Sequence, residues 1–164
     1  MANAARVTTA KASVTINAAF LQEIKEVNED LWRLLAETHA VCGQTGAKRS
    51  ERRTLVGLLS RLRDQLAMHF ALEEAFGYFE DPVTVAPHLC QRADALRTQH
   101  GPLYVAIRDT ADRAEQLLYT GNRTDLLSHV VTLFQAFYNQ LQEHEARENE
   151  LILEAFHDDI GVGD

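Results

Sequence analysis

Along the last part of the chain, Leu127, Val130, Phe134, Phe137, Leu141, His144, Glu148, Leu151 and Ala155 follow one another in alternating steps of three and four. That is the period of one face of an α-helix, so the spacing predicts a helix that turns this stripe inward, with Thr124 as its N-cap. An earlier segment runs from Ser50, the expected N-cap, to about Glu80, where Pro82 stops it. Its inner stripe carries Leu62, Leu66, His69, Glu73 and Phe76. Before it, a segment from about Ala18 to Val41 places Leu21, Ile24, Leu31 and Leu35 on one face and closes near Gly43 and Gly46. Between the Ser50 segment and the last one, a segment starting near Pro87 carries Ala93, Leu96, Ile107, Ala111 and Leu118, and ends in the turn Tyr119-Thr120-Gly121-Asn122. Pro102 falls inside it and predicts a bend. Alternating strand patterns are almost absent. Four long helices with short connections predict an all-α protein, an up-down antiparallel four-helix bundle. The bundle is expected over residues 17–158, after a flexible N-terminal arm of residues 1–16 and before a C-terminal tail of residues 159–164.

Two of these stripes are interrupted by groups that do not suit an apolar interior. His69 and Glu73 stand four apart on the second helix, and His144 and Glu148 four apart on the fourth. At that spacing both members of a pair lie on one helix face. The pairs occupy matching places in two helical hairpins, which makes them an internal repeat. Each has a polar residue at a comparable distance upstream, His100 in the second hairpin and Asn28 on the inner stripe of the first.

A His–Glu pair at this spacing can bind one ion or span two, and helices packed about 8–10 Å apart bring facing pairs to a shared centre. A single such pair is ordinarily an ion pair, and a single buried His is ordinarily satisfied by a carbonyl or a carboxylate. Two matched pairs, with His100 on a third inner stripe, fit a metal site better, because buried ionisable groups without a cation would each carry a penalty of several kcal/mol. A mixture of imidazole and carboxylate suits iron, manganese or zinc; the lack of cysteine on these stripes argues against copper(I) or an iron–sulfur cluster.

Composition narrows the partners. The 164 residues suffice for one well-cored domain, and 16 Lys plus Arg against 24 Asp plus Glu give a net charge of −8. Without a basic cluster, neither nucleic acid nor an anionic membrane surface is an expected partner, and no apolar run approaches the roughly 20 residues of a membrane span. Cys42 and Cys90 form no CxxC and no disulfide framework, which suits a reducing compartment, here expected to be the cytoplasm. The N-terminal segment lacks the hydrophobic core of a secretory signal. Its Arg6 and Lys11, with no acid before Glu23, leave an organelle-targeting segment open, although a loosely tethered arm is the simpler expectation.

Other metal chemistries fail on spacing. Residues 144–148, HEARE, have Glu148 where a zincin needs its second His. A ferritin-like carboxylate centre needs ExxH on two helices, and only EAFH at residues 154–157 matches.

The helix order, the two HxxxE pairs and the His in the first half of the third segment resemble the hemerythrin and HHE cation-binding superfamily. The resemblance covers about Ala18 to Phe156, with EIKEVNEDLWRLLAE as the counterpart of the first helix. It implies a non-haem di-iron centre inside the bundle. Glu73 and Glu148 would be bridging carboxylates, and His69, His100 and His144 terminal nitrogen ligands. Zinc or manganese are alternatives to iron.

Two departures bear on that centre. Asn28 stands where a His is usual, and an amide oxygen is the weaker ligand for a late divalent ion. Three arrangements remain open: Asn28 ligates through its oxygen or a water, another acid is recruited, or a single metal sits on the His100 and His144 side. Glu145, next to His144, is a candidate for the extra oxygen; Glu74 is expected to be solvated. Tyr104 takes the place of a second His on the third segment, either as a phenolate ligand to ferric iron or as a packed core Tyr.

With fewer nitrogens, the resemblance implies sensing, storage or redox handling of dioxygen, peroxide or nitric oxide rather than reversible oxygen carriage. The alternative is a non-catalytic helical interaction module whose metal is structural, mononuclear or degenerate. No protein partner is indicated. His39, His88, His129 and His157 fit no ligand spacing, and Trp32 is expected at the bundle edge.

Overall fold

The computed structural model describes the backbone of residues 18–46, 48–75, 87–121 and 123–161, and the side chains of residues 28–46, 48–75, 87–121 and 123–155. The expected N-terminal arm, the side chains of Leu21, Ile24, Phe76, Phe156 and His157, the stop at Pro82 and the turn residue Asn122 lie outside the described residues. Among the described residues every regular element is helical and no strand occurs.

The helices are α1 (Ala18–Gln44), α2 (Arg49–Ala75), α3 (Cys90–Arg97), α4 (His100–Glu115) and α5 (Thr124–Gly161). Short 3-10 turns, Pro87–Leu89 and Gln116–Leu118, precede α3 and follow α4. None of the described helices is long and apolar enough to cross a membrane.

Packing follows chain order: α1 lies on α2, α2 on α4, α4 on α5, and α5 returns to α1 while also carrying α3. The apolar stripes meet in the middle. Leu31, Leu55, Leu59, Leu62, Leu66, Ile107, Phe134 and Leu141 are fully buried there. Each such Leu or Phe contributes about 1.5–3 kcal/mol by leaving water. Exposed ion pairs, such as Arg108 with Asp109, are screened by solvent and add little beside that. Trp32 is partly buried against this core.

A second, smaller apolar cluster of Leu89, Ala93, Leu96, Leu151 and Ala155 closes the other end. Between the two clusters the same stripes turn polar: His69 and Glu73 on α2, His100 on α4, and His144, Glu145 and Glu148 on α5 are all buried. The interior is therefore two oily regions separated by one ionisable layer.

The bend expected at Pro102 is a break three residues earlier. Pro102 has no N–H to offer the carbonyl of Thr98, and its ring crowds that oxygen, so helical bonding ends at Thr98 and Gln99. Thr98 Oγ1 donates back to Asp94 O at 2.7 Å, and α4 restarts at His100 with Pro102 in its first turn, where a missing donor does no harm. The break sets His100 as the first residue of a new helix.

The expected N-caps are corrected. Ser50 is the second residue of α2 and Thr124 the first of α5, and the initial backbone bonds run from Arg52 N to Lys48 O and from Leu127 N to Arg123 O. In the first turn of α2, the Glu51 carboxylate accepts from Gly46 N of the preceding connection at 2.9 Å.

Buried Arg52 joins the two ends of that region, reaching Gly46 O at 3.4 Å and also bonding Gly121 O. Gly121 has φ 67°, the left-handed region, and an added Cβ would meet nothing within 4 Å. Gly121→Ala should therefore lose only the backbone term, about 1 kcal/mol, which lowers Tm by about 2–4 °C in a chain of this size. A thermal melt that overlays the parent would show that the turn relaxes at no cost.

Candidate metal centre

The ionisable layer contains two groups of donors. One is His100, His144 and Glu148; the other is His69, Glu73 and Glu145. Within each, one donor atom from every residue lies within 4.8 Å of the others. Buried groups of this composition can hold a metal ion.

Helical spacing makes both pairs. Glu73 follows His69 by one turn of α2, with Oε1 at 3.1 Å from His69 Nε2, and Glu148 follows His144 by one turn of α5, with Oε1 at 3.0 Å from His144 Nε2. His100 enters from α4, and its Nε2 lies 3.5 Å from both Glu73 Oε2 and Glu148 Oε1. Glu73 thus puts one oxygen beside His69 and the other beside His100. Glu145 completes the second group, with Oε1 at 2.9 Å from His69 Nε2.

Several of these atoms lack an aligned hydrogen bond although they are buried: Glu73 Oε2, His144 Nε2 and both oxygens of Glu148. An interior normally satisfies such groups, since each left unmet costs about 1–3 kcal/mol or more when charged. Their convergence fits a divalent cation, which would take lone pairs from all of them at once.

Protons occupy the layer otherwise. Burial opposes the charged form of His69, but bonds to Glu145 and Glu73 outweigh it and the imidazole is pushed up to about 10. Burial likewise opposes charge on His100, and Glu148 and Glu74 reverse the direction to upward. Glu73 is raised, first by burial and then by the neighbouring Glu148 and Glu145 charges, against the pull of His69. For Glu148 burial acts upward, and the facing imidazoles of His100 and His144 bring it below the usual carboxylate range. A cation held in the layer would take the place of these protons on the imidazoles.

Two outer partners escaped the reading of the sequence. Gln99 caps α4 by position but not through its side chain; its Oε1 accepts from His144 Nδ1 at 3.1 Å. Glu74, expected to be solvated, is half-exposed yet accepts from His100 Nδ1 at 2.9 Å. Each leaves the Nε2 of its imidazole facing the layer, the arrangement that fixes tautomer and orientation in metal sites. The signal was present, because each adjoins a ligand candidate in sequence. Phe70 also stacks on the His100 ring, with centroids 4.0 Å apart and planes 7° apart.

The remaining candidates lie as follows. Asn28 is half-buried on α1, and its Oδ1 is buried without a hydrogen-bond partner. Neither group of donors needs it to reach three. Tyr104 is partly buried against the main core, within electrostatic range of Arg63 and Arg108. His39 stacks on Tyr138, exposed His88 lies 3.9 Å from Glu154, and His129 is exposed. Cys42 is a buried free thiol, pushed up to about 12 by burial, and Cys90 is an exposed one.

No family model, curated protein or solved structure matches the chain.

Proposed function

We propose that this chain is a hemerythrin-like protein, an up-down antiparallel four-helix bundle that holds non-haem iron, as two ions, and binds dioxygen or a related small oxidant for sensing, storage or redox handling. The observation that carries the reading is Glu73, whose two oxygens lie 3.1 Å from His69 Nε2 and 3.5 Å from His100 Nε2, so that one carboxylate faces both groups of donors. The circuit of contacts from α1 through α2, α4 and α5 back to α1 supports the bundle.

In this reading His100, His144 and Glu148 would hold one ion, and His69, Glu73 and Glu145 the other. Bound there, iron would supply one-electron redox chemistry toward a diatomic ligand or peroxide. The chain's own groups do the rest. Glu74 and Gln99 hold the Nδ1 protons of His100 and His144, so that both rings offer Nε2 lone pairs. Phe70 and the two apolar clusters exclude bulk water. A cavity of about 240 Å³ bordered by Gln99, Pro102, Leu103, Gln140, Glu143, His144 and Arg147 offers a small molecule a way to His144.

The test is anaerobic purification with ferrous iron, a measurement of iron per chain, and then exposure to air. Two irons, with ferric absorption growing in the near-ultraviolet and visible, are expected. Tight zinc with no spectral response to air would favour a structural metal in an interaction module, and no bound metal at all would end the proposal.

A further inference from the structure

The two halves of the layer differ in their donors. His100, His144 and Glu148 offer two imidazoles and one carboxylate, whereas His69, Glu73 and Glu145 offer one imidazole and two carboxylates. Resting on the metal-binding reading above, we propose that the halves sort metals, the nitrogen-rich half taking a borderline ion such as Zn²⁺ or Fe²⁺ and the oxygen-rich half a harder ion such as Mn²⁺.

The inequality comes from one turn of α5. His144 and Glu148 share a helix face and serve the nitrogen-rich half, while Glu145, turned about 100° from His144, reaches across to His69 at 2.9 Å. Glu145 thus contributes a carboxylate where an imidazole would have made the halves alike. It is 7 % exposed, so it is committed to the interior rather than to solvent. Outer contacts deepen the difference. Both imidazoles of the nitrogen-rich half are held at Nδ1, by Glu74 at 2.9 Å and Gln99 at 3.1 Å, which orients them and raises their basicity toward a cation.

Charge alone would send every divalent ion first to the half with two carboxylates. It does not distinguish Zn²⁺ from Mn²⁺, which carry the same charge. Donor type does: imidazole favours zinc and later ions, and carboxylate favours manganese and magnesium. The quantity that reports sorting is therefore the zinc-to-manganese preference of each half rather than its total affinity.

The experiment uses the full chain stripped of metal. One equivalent of Zn²⁺ is added, Mn²⁺ is titrated in, and bound manganese is followed by loss of the free-ion electron paramagnetic resonance signal, with both metals measured after gel filtration. One zinc and one manganese per chain are expected. Glu145→Gln should weaken Mn²⁺ by about tenfold or more and leave the first zinc nearly unchanged, and Glu145→His should tighten a second zinc while weakening manganese. His144→Gln should weaken the first zinc and spare manganese.

Sorting is overturned if the one-zinc protein takes no manganese, if two zincs bind with equal affinity, or if Glu145→Gln weakens both metals alike. Failure of the parent chain to bind either metal would instead remove the metal reading itself, so the two failures are distinct. Circular dichroism checks each variant, and if none folds, the number of imidazole nitrogens coupled to the bound manganese in pulsed electron paramagnetic resonance of the one-zinc parent chain decides: one is expected, and two overturn sorting.

Discussion

Glu73→Gln is expected to weaken metal binding at both groups of donors at once. Its two oxygens lie beside His69 and His100, so this one carboxylate faces both groups. The amide is nearly isosteric, which preserves the packing of α2, but it carries no charge and turns an N–H₂ toward one of the two imidazoles. Metal content after dialysis should fall below the parent's, and any ion retained should bind more weakly by about tenfold to a hundredfold. Glu148→Gln should act more locally, on the His100 and His144 group, because Glu148 Oε1 contacts only those two imidazoles. Retention of the parental stoichiometry in Glu73→Gln would show that the two groups are filled independently.

The second large effect is on stability. Six buried side chains form the layer, and atoms of Glu73, His144 and Glu148 are without aligned hydrogen bonds. Removing such groups from water is costly unless a counter-charge meets them. A ligand that binds the folded chain alone stabilises it by about 4 kcal/mol at a thousand times its Kd. For a chain of this size that corresponds to a rise in Tm of roughly 8–16 °C. Ferrous iron added under anaerobic conditions to the metal-stripped protein should produce that rise, a chelator should reverse it, and Glu73→Gln should lose most of it. A Tm indifferent to metal would mean that the layer is satisfied by its own protons.

The sequence shows which faces turn inward but not how the helices are set against one another. Stripes of apolar residues at steps of three and four identify the buried faces, and His69, Glu73, His100, His144 and Glu148 are visible because they break those stripes. Glu145 was a lesser candidate because it lies off the stripe of α5. It reaches the interior through the way α5 and α2 face each other, and periodicity within one helix carries no information about that.

Gln99 and Glu74 were missed for a related reason: they act on rings contributed by other helices. Helix ends were displaced by a residue or two, since Ser50 and Thr124 have capping side chains while Lys48 and Arg123 take the capping carbonyls. Pro102 marked the interruption of the third segment, but its position depends on which carbonyl loses its donor. Those are geometric facts of the folded chain.

The smaller apolar cluster has a thermodynamic consequence of its own. It consists of Leu89, Ala93, Leu96, Leu151 and Ala155, and the two alanines bring little area to it. Among the described residues, ties at the layer, such as Gln99 to His144 and Glu74 to His100, add to this cluster. Local opening of a part with little buried apolar area costs less than global unfolding. A cation joining α2, α4 and α5 would act as its latch, so that loading the protein and sealing it become a single event.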